Sequence, residues 1–291
     1  PGTTDDSQVG TAGHAMTQLT VSAPAKLNLF LHITGRRTDG YHELQTLFQL
    51  LDFGDTLHFE ATGDGELILD GPDLGIAAED NLVLRAARLL QADPADGARI
   101  RLDKRIPAGG GLGGGSSDAA STLLALNHLW QLGHSNEALQ RIGRELGADV
   151  PVFVAGHSAW AEGIGERLTP VDLPERWYLV ISPDCHVATG EIFSRPELTR
   201  NTPPITIAAF FTGDSRNDCQ PLVRDLYPEV DNALIWLEKT GDARLTGTGA
   251  CVFASFHSRA QAEAVQQQMP AGWGAFVARG VNRSPVLEQL V

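Results

Sequence analysis

The chain has 291 residues, 42% hydrophobic and 20% charged, which is enough for one large core or two smaller ones. Its 22 Lys and Arg stand against 36 Asp and Glu, and the formal charge of −14 would repel a nucleic-acid backbone over most of the surface, so no nucleic-acid partner is expected. No apolar run reaches the roughly 18 to 20 residues that cross a bilayer and no basic-then-apolar signal is present, so no membrane association and a cytoplasmic location are expected.

Residues 1–16 are polar, rich in Gly and Thr and without periodicity, and are expected to be a disordered leader or expression remnant. From Leu19 to Ile33 the pattern is that of a strand, with Leu27, Leu29 and Leu31 alternating against Lys26, Asn28 and Phe30. Turn-rich sequence follows through Tyr41 and His42, then β-like runs at 55–61 and 66–69. Asp80 is the expected N-cap of a helix over NLVLRAARLLQA, and ARIRLDKRI then reads as a strand. A glycine run at 109–115 leads into a helix that starts near Ser116 or Ser117, with an apolar stripe of Ala119, Ala120, Leu123, Leu124 and Leu126. A further helix over 137–146 stops at Gly147, and ADVPVFVAG with HSAWAEG returns toward strand. WYLVISP, LTGTGACVFASF and WGAFVARG read as strands, and 225–239 and AQAEAVQQQM as helices. This mixture lacks strict βαβ alternation, so the expected class is α+β in two domains, 17–160 and 161–291.

The run Pro107-Ala-Gly-Gly-Gly-Leu-Gly-Gly-Gly-Ser-Ser-Asp118 is the most informative stretch, because six glycines in seven residues carry a large ordering cost. Glycines let successive N–H groups converge on an anion, and the following helix adds its positive end, so phosphate binding is the natural reading. A hinge or packing turn is the alternative. Gly109, Gly111 and Gly114 satisfy GxGxxG, but no strand-end carboxylate follows about 20 residues later, which disfavours a dinucleotide site, and no Lys precedes the Ser-Ser pair as a Walker loop requires.

Phosphoryl transfer needs positioning, charge neutralisation and a carboxylate to accept a proton. Asp149 is a lone carboxylate among apolar neighbours in Gly147-Ala-Asp-Val-Pro-Val-Phe, where desolvation would favour basicity; it is equally placed to cap a short Pro-containing helix. Lys26 is either a phosphoryl-steadying ammonium or a solvated strand residue. Tyr41 and His42 offer a ring and an imidazole for a pyrimidine, or loop packing. Thr246-Gly-Thr-Gly-Ala-Cys251 either packs its backbone on phosphates or makes a tight strand turn, and Cys251 reads as a buried small side chain. The three cysteines lack metal spacing, and no metal ligand is assigned.

The glycine-loop run, together with PAKLNLFLHITGRRTDGYHEL, LGADVPVF and LTGTGACVF, resembles the GHMP kinases, and the two additional glycines before Ser116 resemble the branch that acts on a cytidine-diphosphate-linked methylerythritol. The resemblance spans nearly all of residues 19–291. It implies an N-terminal ribosomal-protein-S5-like domain, a C-terminal ferredoxin-like domain and a site between them that uses ATP and Mg²⁺ on a small-molecule alcohol, the 2-hydroxyl of 4-diphosphocytidyl-2-C-methylerythritol, in isoprenoid precursor synthesis. By resemblance Asp149 and Lys26 are catalytic. ATP is implied to lie on Pro107, Gly109, Gly110, Gly111, Leu112, Gly113, Gly114, Gly115, Ser116 and Ser117, with adenine near Asn81, Leu82 and Lys104. Asn28, Tyr41, His42, Thr189 and Phe193 are implied to hold the second substrate, the cytosine lying between Tyr41 and Phe193. Another alcohol, a non-catalytic nucleotide sensor and a nicotinamide oxidoreductase are the rival readings; retention of both Asp149 and Lys26 argues against the sensor.

Overall fold

The computed structural model describes residues 17–213 and 215–290, and the segment 1–16 lies outside the described residues. Two long strands, β1 (Gln18–Arg36) and β2 (His42–Thr62), pair antiparallel along their whole length with three irregularities. The first half of β2 shows no alternation because residues 45–51 are buried on both faces, which is why periodicity passes over it. β3 (Leu67–Asp70), α1 (Leu82–Leu90) and β4 (Gly97–Asp103) follow. The cap of α1 is Asn81 and not Asp80: its side chain accepts from the Val83 N–H.

Helix α2 (Gly114–Leu129) begins two residues before the Ser-Ser pair and is buried on nearly every side, so it is a central helix and not a striped one. Its Ala and Ser residues allow α1, α3 (Asn136–Leu146) and α4 (Val150–Ala155) to approach closely. VPVFVA is therefore helix and not strand, with Pro151 in its first turn where a missing N–H costs nothing. β5 (Ala159–Gly163) and β6 (Arg167–Pro170) return to the sheet.

The remaining chain supplies β7 (Trp177–Ser182), α5 (Thr189–Ser194), α6 (Ile207–Phe211), α7 (Gln220–Leu226), α8 (Pro228–Glu238), β8 (Ala243–Leu245), β9 (Val252–Phe256), α9 (Arg259–Gln266), β10 (Gly274–Val281) and α10 (Pro285–Gln289). The single helix expected over 225–239 is two, because Tyr227 leaves the helical region and Pro228 starts a new first turn. The strands run in the order β3-β4-β2-β10-β7-β9-β8, with β1 and β5 also on β2 and β6 on β5. Among the described residues only β3 and β4 are parallel. One core gathers around α2 and another around α7, α8 and β9; a third, with Leu27, Ile106, Leu112, Val180 and Cys251, joins them. Packing does not break cleanly at residue 160, since β5 and β6 belong with β2, and Val286 of α10 returns to the first core. Among the described residues no helix is long and apolar enough to cross a membrane.

Candidate active site

Between β4 and α2 the chain turns through Gly109, Gly111 and Gly113, whose φ values of 68°, 75° and 72° lie where side chains other than glycine are strained. Gly113 is the N-cap of α2 and supplies no side-chain capping bond, so the helix presents first-turn N–H groups free for an anion. This loop borders a cavity of about 370 Å³ together with Pro107, Ser116, Asn81, Leu82 and Lys104. Leu112 also borders this cavity while its side chain packs into the joining core, and Ser117 is fully buried and does not border it.

The second glycine segment holds the first in place. Cys251 N–H donates to Gly110 O at 3.1 Å, and a Cβ on Gly111 would stand 2.2 Å from Thr246 O. Thr246 Oγ accepts from Asn28 N–H at 3.0 Å, and Lys26 N–H donates to Leu112 O at 3.0 Å. Loop, second glycine segment and β1 are thus bonded to one another, and the approach of Gly111 to the Thr246 carbonyl is one that only glycine permits. Cys251 is buried against Gly110, and burial pushes its thiol up to about 12, so it is not a nucleophile.

Lys104, just past the end of β4, is drawn into a buried ion-pair cluster. Its ammonium sits 2.5 Å from Asp55 and 2.8 Å from Asp118, next to Gly114. Asp55, fully buried, also accepts from the N–H groups of Arg105 and Ile106 at 2.5 and 2.8 Å. Both ends of the phosphate loop are therefore tied to β2 through this cluster. Burial pushes the Asp118 carboxyl up to about 7, against the pull of Lys104 and with the push of Asp55. Burial alone would depress the Lys104 ammonium, but the two carboxylates outweigh it and hold it above its ordinary value.

A second cavity, of about 290 Å³, lies beside the first and shares Gly111, Ser116, Asp149 and Thr189 with it. Lys26, only 3% exposed, points into it, 3.2 Å from Asp149 and 2.5 Å from Asn28 Oδ1. Asn28 in turn donates to Thr46 Oγ at 3.0 Å. Asp149 occupies the N-cap position of α4 but makes no capping bond; its carboxylate goes to Lys26. At 34% exposed it is not enclosed by apolar neighbours as its sequence context suggests, because it stands at the mouth where the two cavities meet.

Thr189 and Phe193 of α5 line this second cavity, and Thr189 shares a 2.9 Å hydrogen bond with Thr248. Next to Phe193 lies the His42 ring, with centroids 5.0 Å apart and planes at 32°. Tyr41 stands apart, 60% exposed, on a turn held by Asp39. The structure thus brings Phe193 to His42 and leaves Tyr41 on the surface. Among the residues at the site that sequence reasoning leaves out, Asp118 directly follows the Ser-Ser pair and Thr248 lies inside a recognised motif. Thr46, Phe48 and Asp55 lie on β2 with no local signal.

The sequence matches the GHMP kinases N terminal domain over residues 81–157 and the GHMP kinases C terminal domain over residues 204–275. Fold and cleft are those of a small-molecule kinase. The chain is 58% identical over 275 residues to the 4-diphosphocytidyl-2-C-methyl-D-erythritol kinase of Pseudomonas aeruginosa, covering 94% of this chain and 98% of that one. It is 54% identical over 282 residues to the enzyme of the same name from Marinobacter nauticus, covering 94% and 98%. A crystal structure of 4-(cytidine 5'-diphospho)-2C-methyl-D-erythritol kinase superposes with a TM-score of 0.79 at 36% identity, over 90% of this chain and 99% of that one. Methanococcus jannaschii mevalonate kinase shares the fold, with a TM-score of 0.65 at 16% identity over 93% and 100%. The chain therefore belongs to the 4-diphosphocytidyl-2-C-methyl-D-erythritol kinase family of GHMP kinases.

Proposed function

We propose that the protein transfers the γ-phosphoryl group of ATP to the 2-hydroxyl of 4-diphosphocytidyl-2-C-methyl-D-erythritol, giving the 2-phosphate and ADP, in the methylerythritol phosphate route to isoprenoid precursors. What carries this reading is the meeting of a phosphate-loop cavity and a second pocket at one carboxylate, Asp149, paired with a buried ammonium. In a family of phosphotransferases that arrangement sets donor and acceptor side by side.

ATP phosphates lie along Gly109 to Ser116, with adenine toward Asn81 and Leu82. Asp149 takes the proton of the attacking hydroxyl, and Lys26, fixed by Asn28, faces the charge that builds on the transferring group. Among the described residues no cluster of three or more His, Cys, Asp and Glu could hold a metal alone. Mg²⁺ commonly arrives on nucleotide phosphates and needs few protein ligands; Ser116 and Asp149, whose side chains border both cavities with that of Thr189, would hold it there. When bound it neutralises charge on the phosphoryl oxygens. The second substrate fills the pocket of Asn28, Thr189 and Phe193, with its base toward His42 and Tyr41.

We assign residues 17–160 to an ATP-binding domain, whose sheet β5 and β6 continue past that boundary, and 161–291 to a second domain whose end returns to the first, and place the reaction in the cytoplasm. ³¹P NMR of the protein with Mg-ATP and the diphosphocytidyl alcohol tests the reaction. The expected products are ADP and a new phosphomonoester resonance beside the retained diphosphate. Equal phosphorylation of homoserine or mevalonate would overturn the substrate assignment.

A further inference from the structure

Arg200 has five N–H donors, and all five are engaged. Its Nη1 donates to the carbonyls of Pro196 and Leu198 at 3.4 and 3.0 Å, and its Nη2 to those of Phe193 and Arg195 at 3.0 and 2.6 Å. The fifth, Nε, donates to His42 Nε2 at 3.0 Å. A guanidinium cannot accept, so His42 Nε2 must carry a lone pair. The proton of the neutral ring is then on Nδ1, and among the described residues no protein group bonds that nitrogen. Charge points the same way: partial burial first, then Arg200 and Arg36, hold the imidazole below its ordinary value, which favours the neutral ring.

We infer that Arg200 is a specificity-determining residue that acts through His42, locking it as a donor-only group beside Phe193 so that it selects a base with an acceptor edge. The inference rests on the substrate reading above. Cytosine presents N3 as an acceptor next to its O2, whereas uracil carries a proton on N3, so an Nδ1–H aimed at N3 pairs with one and collides with the other. A histidine free to change tautomer would satisfy both. The same guanidinium ties the segment carrying Phe193 to the histidine that touches it, so the aromatic wall and the hydrogen-bonding group are set together.

Arg200 is a positioning residue, and a merely structural role would lower turnover of cytidine and uridine substrates by the same factor. Two measurements separate these roles. Long-range ¹⁵N–¹H correlation spectra of the ligand-free protein should show His42 with Nδ1 protonated and Nε2 bare, and Arg200→Met should move the ring toward Nε2–H. The ratio of kcat/KM for the cytidine and uridine forms of the substrate should fall in Arg200→Met by about tenfold or more, the usual worth of a mispaired buried hydrogen bond. Arg200→Lys, which retains a donor and a charge, should lose less of the ratio. Nε2–H in the wild type, or a ratio unchanged in a folded Arg200→Met, would overturn the inference and leave the substrate reading standing. Wild type with Nδ1–H that uses both bases equally would overturn the substrate reading, and the specificity role with it.

Discussion

Lys26 and Asp149 meet at 3.2 Å from two different elements, β1 and the start of α4, and each has forgone its ordinary role to do so. The lysine is withdrawn from solvent and the aspartate does not cap its helix. Removing the carboxylate charge without changing shape, as in Asp149→Asn, should lower kcat by roughly 10²- to 10⁴-fold, the span of a general base, while an ATP analogue still binds. Lys26→Met should also lower kcat, and should leave KM for ATP closer to wild type than kcat. Steady-state kinetics with calorimetric titration checks both, and near wild-type turnover in a folded Asp149→Asn would remove the base assignment.

The phosphate loop predicts different costs at neighbouring glycines. A Cβ on Gly111 would meet the Thr246 carbonyl at 2.2 Å, and one on Gly113 the Phe153 ring at 2.9 Å, both at positive φ. Gly115 has neither problem: it lies in the first turn of α2, and its nearest neighbour would be a Leu82 methyl at 3.6 Å. Gly111→Ala and Gly113→Ala should therefore lose nucleotide affinity and stability. Gly115→Ala should keep stability or gain a few tenths of a kcal/mol, as alanine does within a helix. Equal effects at the three positions in thermal melts and nucleotide titrations would show that the loop is a flexible hinge.

Asp118 ties stability to pH. Its folded-state pKa is about 7 against an ordinary 3.8, so between those values the native state binds a proton that the unfolded chain has released. Stability from this group is present below the lower value and is lost as pH rises through the upper one. In Asp118→Asn that slope should vanish: relative to wild type, the variant should gain stability from about pH 4 to about 7 and stay level above. Urea unfolding at a series of pH values measures the difference, and a difference that grows in the other direction would mean the carboxyl stays ionised beside Lys104.

Much of this site is legible in sequence because its chemistry sits in short motifs. Gly109 to Ser117 announce an anion loop by composition, and Thr246 to Cys251 a second tight segment. What anchors the first of them to the sheet is not legible. Asp55 lies 49 residues from Lys104, and no periodicity marks a carboxylate whose partners are one ammonium and two N–H groups across the sheet. The first half of β2 is equally silent because both faces are covered, which removes the alternation a strand normally shows. Helix α4 misleads for a related reason: a short, fully buried helix carries no polar face to set its period.

The ring pair of His42 and Phe193 makes the last prediction, on substrate choice. Phe193 lines the pocket and touches the His42 ring, whereas Tyr41 is 60% exposed on a turn whose backbone bonds run from Arg37 and to Asp39. If the pyrimidine stacks between these rings, the phenylalanine wall is already built and the tyrosine side closes only on binding. Each ring should contribute on the order of 1 to 3 kcal/mol of stacking, by analogy with bases on aromatic side chains. Tyr41→Ala should then raise KM for the cytidine substrate roughly tenfold without changing the melting temperature, because an exposed ring supports little of the fold. Phe193→Ala should raise KM as much and also lower the melting temperature, since it removes packing from the second core and from the His42 ring. His42→Ala should differ from both, losing the preference for cytidine over uridine more than it loses affinity, because a hydrogen bond selects and a stacking face does not. That preference should persist as pH falls toward 6.5, since the partly buried, Arg-flanked imidazole stays neutral to lower pH than a free one. Measuring kcat/KM for both bases in wild type and the three variants, at pH 8 and near pH 6.5, separates these contributions. Loss of preference at the lower pH in wild type would mean that His42 charges there, and a Tyr41→Ala enzyme with unaltered KM would mean that the base stacks on Phe193 alone.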